Sequence, residues 1–65
     1  MNLIGTNIKT FRTKLGLTQD DLVKKADVKH TTLTKIESGV VTKPGVQTVA
    51  KIAKALEVSI EDLLK

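Results

Sequence analysis

The chain reads as all-α, a compact five-helix bundle, and three observations predict that class. Apolar residues recur three and four apart in several separate stretches, the period of one helical face. Capping and breaking residues stand at the ends of those stretches. No stretch alternates apolar and polar residues over the length of a strand.

Ile4, Ile8, Phe11 and Leu15 fall on one helical stripe and predict a first helix from about Leu3 to Lys14, ended by Gly16. Thr18 can cap the next helix through its hydroxyl, and Asp21, three residues later, completes an acidic version of the capping box. Leu22, Val23 and Ala26 then mark the inner face, while Gln19, Asp20, Lys24 and Lys25 point elsewhere. That helix stops near Ala26. Asp27 is among the few residues besides glycine that tolerate the left-handed conformation of a sharp exit, and Val28 can turn back into the core.

A third helix begins near Lys29, with Leu33 and Ile36 as its apolar positions. The opposite face then carries His30, Thr31, Thr34 and Lys35, all able to hydrogen-bond and none acidic. Ser38 and Gly39 end it. Val40 to Gly45 holds two β-branched valines and Thr42, but a segment this short closed by Pro44-Gly45 cannot form a sheet of its own, so it reads as an exposed loop. Val46, Val49, Ile52, Ala53 and Leu56 form the stripe of a fourth helix. Ser59 with Asp62 caps a short fifth helix through Leu63 and Leu64.

Composition narrows the function classes. A chain of 65 residues suits a single domain over 1–65 and buries only about 60% of the surface its unfolded form exposes. It has no cysteine and one histidine, so neither a disulfide framework, a metal site nor a cofactor is expected. No apolar run approaches the roughly 20 residues of a membrane span, and Met1 to Thr10 carries no signal-peptide pattern, which makes the cytoplasm, at the nucleoid, the expected location. An enzyme is not expected, because the lone histidine falls on an exposed helix and the carboxylates are scattered. Residues 1–54 hold ten Lys or Arg against four Asp or Glu, whereas 55–65 hold Lys65 against Glu57, Glu61 and Asp62. A basic body with an acidic end is drawn to a polyanion in one orientation. Taken alone, the lysines could equally be solvated helix faces.

The segment Thr18 to Gly39, TQDDLVKKADVKHTTLTKIESG, decides between these readings, since it writes two short amphipathic helices across a tight turn. It resembles the helix-turn-helix of the Cro and phage-repressor class, also called XRE-like. The likeness extends to Asn7-Ile8-Lys9 through Arg12, Gly16-Leu17-Thr18-Gln19, Lys35-Ile36-Glu37-Ser38-Gly39, Val49 through Leu56 and Val58 through Leu64. Three positions depart from the family pattern: Val23 replaces a small residue, Asp27 the turn glycine, and Lys29 the Ser or Thr that caps the third helix. The resemblance implies a lambda-repressor-like fold, with the motif formed by helices 2 and 3, and binding to double-stranded DNA. It also implies that Arg12 and Glu37 form an ion pair joining the first and third helices. A solvated pair would contribute about 0 to 1 kcal/mol; breaking a partly buried one would cost about 3 to 5 kcal/mol.

Base contacts specify a site and phosphate contacts position the protein. His30, Thr31 and Lys35 lie in the first turns of the third helix, the part that approaches base edges when such a helix enters the major groove. Lys35 suits guanine acceptors, His30 can donate to guanine or phosphate, and the Thr31 methyl can touch thymine. Gln19 opens the second helix, whose free N–H groups and positive dipole end suit a phosphate, a contact the family resemblance also implies. Lys29 and Lys43 are further phosphate candidates. One such module grips only about 600 to 1,000 Å² of protein surface on DNA, so a homodimer on an inverted repeat is expected. Val58, Ile60, Leu63 and Leu64 are its candidate interface, although in so small a domain all four could serve the core instead. The expected function is a transcriptional regulator, in its simplest form a repressor that occupies a promoter. The alternative is a protein-interaction module or antitoxin-type domain on the same scaffold.

Overall fold

Five helices follow one another in the computed structural model, which describes residues 3–65: α1 (Leu3–Lys14), α2 (Gln19–Ala26), α3 (His30–Ser38), α4 (Val46–Leu56) and α5 (Ile60–Leu64). Met1 and Asn2, which open the stretch read for a signal peptide, lie outside the described residues.

The helix ends follow from local chemistry. At α2 the Thr18 hydroxyl accepts the Asp21 N–H at 3.0 Å, and the Asp21 carboxylate accepts the Thr18 N–H at 3.0 Å. Ser59 and Asp62 repeat this box at α5, both bonds at 3.1 Å. Each box gives side-chain acceptors to two backbone N–H donors that a helix start would otherwise leave to water. The exits use left-handed backbone. Gly16 (φ 70°) and Gly39 (φ 89°) adopt it without a Cβ penalty. Asp27 (φ 58°) does so at the turn between α2 and α3, where its N–H and that of Val28 both reach the Val23 carbonyl. Glu57 (φ 60°) does the same after α4, a placement that nothing in the residue type announces.

The core gathers the inner faces of all five helices: Ile4 and Ile8 from α1, Leu22, Val23 and Ala26 from α2, Leu33 and Ile36 from α3, Val49, Ile52, Ala53, Ala55 and Leu56 from α4, and Leu63 from α5. Phe11, Leu17, Val28, Val41 and Val58 close its edges. Val23 therefore packs where the family carries a smaller side chain, and it is buried there.

Several positions on the predicted stripes or loops sit differently. Leu15 follows the last residue of α1 and is 45% exposed, because the chain is already turning toward Gly16. Val46 opens α4 and is 78% exposed; the inner face of that helix meets the core only from Val49 onward. Within the segment read as an exposed loop, Val40 is exposed but Val41 packs against the core. The Val41 N–H bonds the Lys35 carbonyl at 3.0 Å, which folds the loop back under the end of α3.

Leu63 requires a correction of role. It was a candidate for the dimer interface, yet it has no exposed surface and fills the core of its own chain. The cause lies in α1: the Asn7 Nδ2 donates to the carbonyls of Leu63 and Lys65, both at 2.9 Å, and draws the end of α5 inward. Val58 is half-buried at the core edge, so Ile60 and Leu64 remain as the exposed apolar side chains of this end.

Candidate nucleic-acid interface

The third helix has two clearly different sides. Leu33 and Ile36 are fully buried, while His30, Thr31, Thr34, Lys35 and Ser38 are exposed. At 100° per residue, His30, Thr34, Ser38, Thr31 and Lys35 span an arc of about 140° that excludes the two core residues. No carboxylate lies on that arc. The hydroxyl of Thr34 donates to the His30 carbonyl at 2.9 Å and that of Ser38 to the Lys35 carbonyl at 3.2 Å, so both are partly spent on their own helix. Among the described residues, the side chains of His30, Thr31 and Lys35 make no hydrogen bond, in contrast to those of Thr34 and Ser38. Lys29, at the N-cap, makes no side-chain capping bond. The first turn of α3 therefore starts without the side-chain cap that α2 and α5 have.

Glu37 holds this helix in place. Its carboxylate accepts Arg12 Nε at 2.9 Å, Arg12 Nη2 at 3.0 Å and Gln19 Nε2 at 3.1 Å. Arg12 Nη1 in addition donates to the Leu17 carbonyl at 2.9 Å. One carboxylate therefore collects donors from α1 and α2 and ties both to α3. The two-pronged geometry suits the planar guanidinium fork and would not be reproduced by lysine.

Gln19, a phosphate candidate by sequence, is half-buried and donates its amide to Glu37 between α2 and α3. Among the described residues, no acceptor meets the backbone N–H of Gln19 at the start of α2 or that of Asp20. Lys43 is exposed in the loop after α3. Sequence reasoning left Lys9 without a role, but it lines the same cleft as Arg12 and Gln19. The signal was present in its spacing: Lys9 and Arg12 are three apart and so share a face of α1.

A family model described as helix-turn-helix matches residues 8–63. The chain is 36% identical over 62 residues to the HTH-type transcriptional regulator SinR of Bacillus subtilis, which covers 95% of this chain and 56% of SinR. It is 40% identical over 58 residues to an uncharacterized HTH-type transcriptional regulator of Archaeoglobus fulgidus, covering 89% of this chain and 81% of that protein. The chain therefore spans little more than half the length of the SinR it matches. Among solved structures, the N-terminal DNA-binding domain of Bacillus subtilis SinR superposes with a TM-score of 0.96 at 34% identity, over 100% of this chain and 94% of that one. SinR crystallised in complex with DNA superposes with a TM-score of 0.92 at 35% identity, over 95% of this chain and 98% of that one. No helix among the described residues is long and apolar enough to cross a membrane. With sequence, fold and the partly buried ion pair in agreement, the chain belongs to the helix-turn-helix family of the Cro and phage-repressor, XRE-like type.

Proposed function

We propose that this chain is a sequence-specific, double-stranded DNA-binding transcriptional regulator, a repressor acting as a homodimer on an inverted-repeat operator. The observation that carries the reading is the exposed, carboxylate-free arc of α3, held from behind by Leu33, Ile36 and the Glu37 carboxylate. His30, Thr31 and Lys35 on that arc read base edges in the major groove. Gln19 at the start of α2, with Lys29 and Lys43, meets the phosphates on either side. The similarity to SinR, which has been crystallised with DNA, supports the same use of the fold.

The dimer rests on Ile60 and Leu64, which are 38% and 58% exposed, with half-buried Val58 beside them. Pairing through this acidic end keeps Glu57 and Glu61 away from the phosphates and sets two reading helices about 34 Å apart. Repression follows from occupancy, since a bound dimer excludes other proteins from the promoter.

Selection of bound duplexes from a random pool tests the reading directly. A palindromic winner is expected, and its log affinity should fall with log salt with a slope of about −5 to −9 if the dimer neutralises six to ten phosphates. No specific duplex shift at low salt would reject the reading in favour of a protein-interaction module. Ile60→Asp combined with Leu64→Asp should give a monomer by sedimentation; an unchanged dimer would move the interface elsewhere.

A further inference from the structure

A groove of about 370 Å³ runs between the end of α2 and the C-terminal half of α4, lined by Lys25, Ala26, Asp27, Lys51, Lys54 and Ala55. Buried Ala26 and Ala55 form its floor, and the three lysines stand exposed around it. None of the three has an ion-pair partner among the described residues, and the single carboxylate on the rim, that of Asp27, leaves the groove basic. No residue of α3 lines it, so the groove is separate from the reading arc.

The acidic end of the chain begins where this groove stops. Glu57 ends α4 just beyond Ala55, and Ile60, Glu61 and Leu64 lie exposed on one side of α5, within an arc of about 100°. The Asp62 carboxylate is spent on the Ser59 N–H at 3.1 Å and on Lys65 at 3.4 Å. Glu57 and Glu61 have no ion-pair partner among the described residues. Two copies that meet through Ile60 and Leu64 therefore bring Glu57 and Glu61 of both chains to one axis. Like charges so placed oppose association unless a basic surface receives them. The groove supplies that surface on the same half of α4, and its alanine floor has room for the methylene stem of a glutamate.

We propose that the lysine groove is the counter-surface of the dimer, receiving Glu57 and Glu61 of a second copy while Ile60 and Leu64 of the two chains pack at the twofold axis. Symmetry makes the contact twice, since a patch that meets its complement on one side is met in the same way on the other. Apolar contact at the axis holds the pair together, and the flanking charges choose the partner, rejecting a chain that lacks the matching groove. The Asp27 carboxylate on the rim disfavours a nucleic-acid occupant, whose phosphates it would repel, and suits a peptide. The inference rests on the dimer proposed above and adds what selects its partner.

Charge reversal tests it by sedimentation of the chain. Lys51→Glu combined with Lys54→Glu should weaken self-association at least about tenfold, and so should Glu57→Lys combined with Glu61→Lys. An equimolar mixture of the two variants should associate about as well as the unaltered chain, because every groove then faces an end of opposite charge. Association of the unaltered chain should also weaken with added salt, a readout that needs no variant. Weakened variants whose mixture does not recover would show that these charges act within their own chain and overturn the proposal. A dimer indifferent to salt and to both reversals overturns it too, while leaving the dimer itself standing. Loss of duplex binding by Lys51→Glu combined with Lys54→Glu, with the dimer intact, would make the groove a nucleic-acid surface and overturn it as well. A chain that stays monomeric at every concentration rejects the dimer reading, and this inference falls with it.

Discussion

Arg12 of α1 holds Glu37 of α3 by two parallel hydrogen bonds, Nε to Oε2 at 2.9 Å and Nη2 to Oε1 at 3.0 Å, with both side chains largely out of water. Removing one member leaves a desolvated charge behind, which costs more than the pair contributes. Arg12→Met should therefore lower unfolding free energy by about 3 kcal/mol in urea titrations. Arg12→Met combined with Glu37→Met should recover part of that loss, because two apolar side chains need no partner. A loss under about 1 kcal/mol for the single change would place the pair effectively in solvent.

Glu57 ends α4 in left-handed backbone at φ 60°, where a side chain crowds its own carbonyl. Glu57→Gly should raise stability by about 0.5 to 1 kcal/mol, the relief of strain exceeding the added entropy of glycine in the unfolded chain. Asp27→Gly should gain less, since aspartate tolerates this conformation better. Thermal melts of the two variants compare them directly, and a destabilised Glu57→Gly would contradict the strain argument.

Asp21 and Asp62 both have carboxyl pKa values below the ordinary aspartate range, chiefly through the backbone N–H of Thr18 and Ser59 respectively, then through the hydroxyls of the same residues. A lowered folded-state pKa means that the unfolded state binds protons first as pH falls. The stabilisation is complete above the ordinary aspartate value and is lost as pH falls through the lowered ones, below about pH 4. Denaturation midpoints followed from pH 6 to pH 2 should drop in that window. Asp21→Asn combined with Asp62→Asn should flatten the drop, and an unaltered profile would assign acid sensitivity to other carboxylates.

Asn7 clasps the end of α5 through its bonds to the Leu63 and Lys65 carbonyls. Asn7→Ala should cost about 1 to 2 kcal/mol and selectively speed amide exchange in α5, a helix too short to persist without tertiary contacts. Because α5 carries Ile60 and Leu64, dissociation of the proposed dimer should rise in the same variant. Uniform loss of protection across all helices would show that α5 unfolds only with the whole domain.

Lys35 and Lys43 carry different parts of the proposed interface. Lys35→Ala should cost about 1 to 3 kcal/mol on the selected duplex and relax preference at one base position. Lys43→Ala should weaken all duplexes alike and reduce the salt slope by about one per protomer. The same pattern from both variants in parallel titrations would reject this division of labour.

The five helices and their limits were legible because their causes are local. A capping box spans three residues, as at Thr18–Asp21 and Ser59–Asp62, and a helical stripe repeats within a turn. The exposure of His30, Thr31 and Lys35 followed from the same periodicity, since Leu33 and Ile36 fix the inward direction of α3. What periodicity cannot choose is which apolar positions find a partner. Leu15 and Val46 sit on correct stripes but at helix ends, where they stay exposed, and Leu63 is held inward where Asn7, 56 residues away in sequence, donates to its carbonyl.

The amino-acid sequence by itself determined the helical class, the helix boundaries, the exposed arc of α3 and, by family likeness, the pairing of Arg12 with Glu37. Tertiary structure alone decided that Gln19 donates to Glu37, that Lys9 shares their cleft, that Glu57 takes left-handed backbone and that Leu63 belongs to the core. The physical reason is range: caps and stripes are set by neighbours within a turn, whereas a polar side chain's partner is set by which distant helices pack against it.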